Sequence, residues 1–332
     1  MIESIFVTGA TGSVGSNVCR LAAQQGRRVR ALVRPGTDIS PLKEYGVESV
    51  VGDVTDPDSL GDALSGLDGV VHCAAQIGGT WSTATSVQFE AVNQWGSINV
   101  LDAAERAGAK RTVLLLSAVL FLRSGTISER SPVAPIHPGD SAYLRTKRAA
   151  YYEGMARAAR GSEISFVVPG GIYGPSPFIE RALVPTIFTG TLLMAATGQL
   201  KRYLPMPISW VLAEDVADIS LRALDQGRTG ANYLAMGRPE DAQSLPAFCN
   251  LFLGMGAFPH RVAEFDPSGP DAVEDPEFGS MVRLLQAEYP EPAHDCSRTT
   301  RELGKSPTAL SDGLRLTLDW LRRHGKLAVP SN

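Results

Sequence analysis

The sequence predicts an α/β fold: a doubly wound parallel sheet in the first half, joined to a smaller lobe in the second. Short apolar runs alternate with amphipathic stretches through the first half. Those runs are apolar at successive positions, as strands covered on both faces require. After Gly174 the chain becomes rich in Pro and Gly and loses that alternation. A length of 332 residues suits one large α/β unit or two lobes.

Taken in order, Ile2–Val7 reads as a strand, Ser13–Gln25 as a helix stopped by Gly26, and Arg28–Val33 as a second strand. Ser49–Val51, Gly69–His72, Thr112–Leu116 and Ile164–Val168 continue the strand series. Helical spacing falls between them at Pro57–Ser65, Val87–Ala107 and Ser141–Arg160. In the second half a run from Trp210 to Ala217 opens a helix, Asn232–Met236 reads as a strand, and Leu310–His324 as a last amphipathic helix. The Pro- and acid-rich stretch Gly256–Pro292 reads as loops around short helices. These patterns divide the chain into a dinucleotide-binding domain, 1–172, to which elements near 210–236 return, and a mainly substrate-binding lobe, 173–332.

The first strand runs directly into Thr8-Gly9-Ala10-Thr11-Gly12-Ser13-Val14-Gly15, which opens the first helix. Gly9 permits the sharp exit from the strand, Gly12 admits a pyrophosphate to the backbone, and Gly15 lets helix and sheet approach closely. With the N–H groups of Thr11, Ser13 and Val14 and the positive end of the helix, this is a dinucleotide-binding loop of the Rossmann type. The second strand ends in Arg34 where an NAD-specific site would carry a carboxylate. A guanidinium there pairs with a 2′-phosphate, so NADP(H) is the expected cofactor, with NAD(H) the alternative. Asp53 and Val54 follow the third strand, where Asp53 can accept a bond from adenine; Ala74 and Ala75 are small enough to admit the cofactor's bridging region.

Tyr143 and Lys147 lie one helical turn apart on one face. A phenol titrates near pH 10. A neighbouring ammonium favours phenolate and so makes proton exchange at neutral pH easier. Ser117 closes the fifth strand at the carboxyl edge of the sheet, where open α/β folds bind ligands. Its hydroxyl can hold a substrate oxygen.

On these residues, and on His72-Cys73-Ala74-Ala75, Asn93 and Pro169-Gly170-Gly171-Ile172-Tyr173-Gly174-Pro175, the chain resembles the extended short-chain dehydrogenase/reductases, the NAD-dependent epimerase/dehydratase family. The resemblance extends through Glu214-Asp215-Val216-Ala217 to Trp320. It is strongest to the dihydroflavonol-reductase and 3β-hydroxysteroid-dehydrogenase-like group, whose second strand carries a cofactor-phosphate arginine. It implies Tyr143 as acid/base, Asn93 as a structural asparagine, Pro169 and Ile172 beside the nicotinamide, and homodimerisation through Val87–Ala107 and Ser141–Arg160. The chain departs from the sugar dehydratases in having Ala118-Val119 where they carry an acidic pair. It departs from many sugar-nucleotide enzymes in having Gly170-Gly171 where they carry an asparagine.

Three segments, Gln76–Trp81, Val119–Phe121 and Ile172–Phe178, are expected to face the nicotinamide. They offer Ile77, Trp81, Phe121, Tyr173 and Phe178, a set suited to a hydrophobic ketone or aldehyde. The expected activity is reversible carbonyl reduction; a nucleotide-sugar epimerase is the alternative, with Lys201 and Arg202 as its diphosphate pair. A regulator that binds dinucleotide without chemistry fits less well, because the Tyr/Lys pair is kept. The formal net charge of −4 gives no support to nucleic-acid binding. The four cysteines lack CxxC spacing, the five histidines lack metal-ligand spacing, and no signal-peptide pattern is present; a cytoplasmic protein is expected. Ala182–Leu200 is uncharged and nearly long enough to span a bilayer, but Pro185, Gly190 and Gly198 interrupt it, so a buried or pocket-lining segment is expected.

Overall fold

Ile5, Phe6 and Val7 are all fully buried, so both faces of the first strand are covered. The computed structural model describes residues 1–121, 126–137, 140–279, 282 and 293–328. Its central sheet has seven strands: β1 (Ser4–Thr8), β2 (Arg28–Val33), β3 (Glu48–Val51), β4 (Gly69–His72), β5 (Arg111–Leu115), β6 (Ile164–Pro169) and β7 (Asn232–Ala235). They lie in the order β7-β6-β5-β4-β1-β2-β3, and every neighbouring pair is parallel. This is a Rossmann-type, doubly wound sheet, and its chain order reverses between β1 and β4. Ligands bind at such a reversal, beyond the carboxyl ends of the strands.

The principal helices are α1 (Ser13–Gln24), α2 (Gly96–Arg106), α3 (Ala142–Ala159), α4 (Phe188–Ala196), α5 (Ala213–Gln226), α6 (Leu245–Gly256), α7 (Ser297–Leu303) and α8 (Leu310–Arg323). Helices α1 and α5 pack together on one side of the sheet over Val7, Val71, Val113 and Val167. Helices α2 and α3 cover the other side. A separate apolar cluster forms the second lobe, where Trp210 stacks on Phe248 at 3.9 Å between ring centres.

Two expectations change in detail. Pro57–Ser65 is not a helix but two 3-10 turns, Asp58–Leu60 and Asp62–Leu64, with Gly61 between them. Val87–Ala107 is not uniformly α-helical. It comprises a short helix at Ser86–Phe89, a π-helical segment at Glu90–Trp95, and α2. The Thr85 side chain and Gln88 form a reciprocal cap at its start. Part of the predicted loop region Gly256–Pro292, namely 280–281 and 283–292, lies outside the described residues; what is described there includes a 3-10 turn at Ala272–Glu274.

The uncharged stretch 182–200 is spent on α4, whose Leu192 and Ala195 are buried in the second lobe. Gly190 lets α4 press on the preceding loop, since a Cβ there would lie 2.4 Å from the Val184 carbonyl oxygen. Among the described residues, no helix is long and apolar enough to cross a membrane.

Asp215, in the first turn of α5, pins the second lobe's return path. Its buried carboxylate accepts from the Thr308 amide at 2.7 Å and hydroxyl at 3.0 Å, and pairs with Lys305 Nζ at 2.7 Å. Substituting Asp215→Ala removes these bonds and leaves Lys305 without its nearest partner. The expected loss of stability is about 1–3 kcal/mol, read from urea unfolding.

Candidate active site

The β1–α1 turn is built for an anion. Gly9 has φ +66°, and a Cβ on it would lie 2.6 Å from the Ala74 nitrogen. A Cβ on Gly15 would lie 2.2 Å from the Gly9 carbonyl oxygen. Only glycine at these two positions lets the turn sit against both β4 and its own helix. The N-cap is Gly12, which offers no capping side chain, and no acidic residue stands in the first turn. The positive end of α1 is thus left for an external acceptor.

Ser13 strengthens that assignment. Its hydroxyl oxygen is buried and has no hydrogen-bond partner. A buried hydroxyl without a partner costs about 1–3 kcal/mol, and a pyrophosphate oxygen would satisfy it. The residues present therefore fit a dinucleotide: Gly9, Thr11, Gly12 and Ser13 around the phosphates, with Ala74 and Ala75 alongside. The side chain of Val14 is buried in the core and can offer only its backbone. Val54 is likewise buried, and its carbonyl accepts from Asn99.

Arg34 is exposed immediately after β2. Asp53 uses Oδ1 to accept from the Thr55 amide and hydroxyl, each at 2.9 Å, which leaves Oδ2 for another donor.

Parallel register places Thr8 opposite His72. The Thr8 hydroxyl lies 2.7 Å from His72 Nδ1 and accepts from the Ala74 amide at 3.2 Å. On the other side of the ring, Nε2 lies 3.0 Å from Ser97 Oγ, and Ser97 donates to the Asn93 carbonyl at 2.7 Å. The Ser97 proton is thereby committed, so Nε2 carries the imidazole proton and Nδ1 accepts from Thr8. Burial, then the charge of Lys147, pushes His72 down to about 3, and the ring is neutral at physiological pH. Asn93 extends the chain of bonds. Its side chain accepts from the Gln76 amide at 2.8 Å and donates to the Gln76 carbonyl at 3.0 Å. The buried Asn93 stands in the π-helical segment, a distortion frequent at functional sites.

Helix α3 has Ser141 as its N-cap, and the Ser141 hydroxyl accepts from the Leu144 amide. Its first turns bring Tyr143 and Lys147 to the ends of β4 and β5. Lys147 is buried, and Nζ donates to the Leu115 carbonyl at 3.3 Å. Burial lowers its pKa to about 8, with the Cys73 thiol acting in the opposite direction. Tyr143 is half-buried; burial raises its pKa, and a hydrogen bond with Ser117 partly offsets that rise. Ser117, extended at φ −162° after β5, is partly exposed. Phenol, hydroxyl and ammonium thus meet at one edge of the sheet, adjoining the β1–α1 turn through Cys73 and Ala74.

A set of groups with these properties belongs to a known family. The model of the NAD dependent epimerase/dehydratase family matches residues 5–235. The chain belongs to this family. Its similarity to "Sterol demethylase protein B" of Methylococcus capsulatus is 30% identity, covering 97% of this chain and 99% of that protein. A "Putative dihydroflavonol 4-reductase" of Synechocystis is 28% identical, covering 98% of this chain and 96% of the relative. Among solved structures, that of gox2253 is similar at a TM-score of 0.82 and 25% identity, covering 98% of this chain and all of that one. The family's chemistry is NAD(P)-dependent oxidation–reduction, epimerisation or dehydration.

The aromatic substrate set is not brought together. Phe121 and Tyr173 are each 1% exposed. Phe121 belongs to the core under α3, and Tyr173 packs edge-on against Phe248 with its hydroxyl toward the Leu310 carbonyl. Phe178 is buried against the α1–α5 core. These three are corrected from substrate contacts to core residues: large rings beside a lobe junction gain more from filling it than from facing water. Ile77 and Trp81 are partly exposed on the β4–α2 connection, and Trp81 packs on Tyr203 at 5.5 Å. Pro169 is buried at the end of β6, and Ile172 is partly buried beyond it.

Sequence reasoning missed Thr8 and Ser97, the two hydroxyls that hold His72. Equal strand ends would have paired Thr8 with His72; nothing local points to Ser97. Gly9→Ala is expected to force the turn out of its positive φ and off Ala74, a strain of about 1–3 kcal/mol. The reduced nicotinamide dinucleotide, NADH or NADPH, should then bind about 10- to 100-fold more weakly, measured by fluorescence titration.

Proposed function

We propose that this chain is an NADP(H)-dependent carbonyl reductase that interconverts a hydrophobic ketone or aldehyde and its alcohol. The observation that carries the reading is the placing of Tyr143 beside Ser117 and a buried Lys147, next to an uncapped glycine turn. A bound nicotinamide cofactor would supply the hydride, or take it back in the reverse direction. The protein's part is to orient the carbonyl and move a proton. Ser117 donates to the carbonyl oxygen and holds it beside Tyr143. Tyr143, kept as a phenol by burial, gives its proton to that oxygen as the alcohol forms. The ammonium of Lys147 stabilises the resulting phenolate and can hold the cofactor's ribose hydroxyls. Neutral His72 keeps the edge of β4 in place without adding a second positive charge.

Arg34 supports NADP(H) over NAD(H), because an exposed guanidinium after β2 offers charge to a 2′-phosphate. The names of two relatives, one a sterol demethylation protein and one a dihydroflavonol reductase, support an apolar polycyclic substrate. One member of the pair expected for a nucleotide-sugar diphosphate is engaged elsewhere. Arg202 is already bound to Asp275 at 2.9 Å and lies over the Phe265 and Phe278 rings. The four free cysteines fit a cytoplasmic setting. Exposed Val87, Trp95 and Tyr152, on the helical segments beside α2 and on α3, would suit pairing of two copies.

Turnover is tested by following NADPH absorbance with a panel of cyclic and aryl ketones. Tyr143→Phe is expected to abolish turnover while NADPH binding survives; an active variant removes Tyr143 from the chemistry. Arg34→Ala is expected to weaken NADPH binding by about tenfold and leave NADH nearly unchanged. Equal losses for both cofactors would overturn the role of Arg34.

The pH dependence follows from Lys147. Its depressed pKa means the ammonium is present below about 8 and lost above it. Tyr143, shifted upward, keeps its proton through the same range. The reduction rate should therefore fall as pH rises through about 8, and Lys147→Arg should move that limb to higher pH. An unmoved limb would assign the titration to another group.

A further inference from the structure

The loop between β4 and the Ser86–Phe89 helix touches the ring of Tyr143 through a residue that has no side chain. A Cβ on Gly78 would lie 2.8 Å from Tyr143 Cγ, 3.0 Å from its Cβ and 3.1 Å from Cδ1. These atoms stand at the root of the side chain, so they give way only if the whole ring tilts, unlike the tip of a flexible side chain. Phe89 meets the same ring edge-on at 5.9 Å, and the phenol is held between the two.

The loop is itself fixed at both ends. At its start, Gln76 exchanges two hydrogen bonds with the Asn93 side chain. Within it, Ser82 donates to the Ile77 carbonyl at 2.8 Å, and its amide to the Gly79 carbonyl at 3.0 Å. At its far end the Thr80 hydroxyl lies 2.6 Å from the Tyr203 hydroxyl, and Trp81 packs on the Tyr203 ring. Tyr203 is buried in the second lobe, edge-on to Phe278 at 5.3 Å. The loop is thus a strap from the substrate lobe to the catalytic ring.

We propose that Gly78 is a positioning residue for Tyr143, and that the Thr80–Tyr203 hydrogen bond ties this contact to the second lobe. The inference rests on Tyr143 being the acid. A methyl group at position 78 must move either the strap or the ring by several tenths of an ångström to reach ordinary contact. The strap is clamped by Asn93 and Tyr203, so the ring is the part that yields. The phenol then leaves Ser117, and proton transfer loses its alignment.

The test uses the full-length protein with NADPH and 2-tetralone as the probe ketone. Gly78→Ala should lower kcat by about 10- to 100-fold. NADPH affinity, measured by fluorescence without turnover, should change by less than about twofold. A crystal structure of the cofactor-free variant should show the Tyr143 oxygen displaced from Ser117. Thr80→Val and Tyr203→Phe should each lower kcat by a smaller factor. Their double variant should be no worse than the poorer single one, because both remove the same bond.

A fully active Gly78→Ala, or a crystal structure with Tyr143 unmoved, overturns the positioning role. Should Gly78→Ala fail to fold, unchanged or additive effects of the Thr80 and Tyr203 variants overturn the coupling. Tyr143→Phe with wild-type activity overturns the catalytic reading and this inference together. An inactive Tyr143→Phe beside a fully active Gly78→Ala overturns the inference alone.

Discussion

Seven strands running in one direction deliver their carboxyl ends to one edge, and the candidate site exists because of that alignment. Thr8, His72, Ser117 and Pro169 each stand at, or just past, the end of a strand. The parallel ladder fixes their heights relative to one another, and Thr8 and His72 are direct register partners. Apolar burial of Val7, Val71, Val113 and Val167 holds the ladder from one face, and Phe6, Val70, Leu114 and Phe166 from the other. A one-residue slip in any strand would exchange these two sets and carry the polar ends out of reach.

Much of the edge so formed is buried, and its polar groups depend on one another. His72 is kept neutral by burial and by the nearby Lys147, and its two ring nitrogens are occupied by Thr8 and Ser97. Lys147 keeps a carbonyl partner at Leu115 but bears the cost of burial, which is why its pKa falls to about 8. An ammonium so placed interacts strongly with a nearby phenolate, because little solvent screens it. Burial also leaves the Ser13 hydroxyl at the head of α1 without a protein partner. Both features are costly to the protein alone and useful to a bound dinucleotide, consistent with strain and unsatisfied groups gathering at functional sites.

The second lobe reaches this edge by two routes. Strand β7 and helix α5 return to the sheet, with Asp215 fastening the segment that leads to α8. The Thr80–Tyr203 contact reaches it from the other direction, through a loop of the first half. The glycines at 170 and 171 allow the backbone of residues 207–212 to lie directly against the end of β6. The lobes are therefore joined by backbone contact and by buried rings, and the large aromatic residues of that seam are consumed in packing.

The linear sequence determined the strand series, the dinucleotide turn and the Tyr143/Lys147 pair, because each is a local pattern: burial on both faces, glycine at fixed spacing, two side chains one helical turn apart. It also put Ser117 near the end of β5, two residues past Leu115, since that position depends only on where the apolar run stops. Tertiary structure alone decided which aromatic residues face the site. Burial of Phe121, Tyr173 and Phe178 depends on neighbours distant in the chain, such as Phe248 and Leu310. It alone also joined Ser97 to His72, Gly78 to Tyr143 and Thr80 to Tyr203. Those contacts form across separate elements, where no periodicity in the sequence encodes the distance between two side chains.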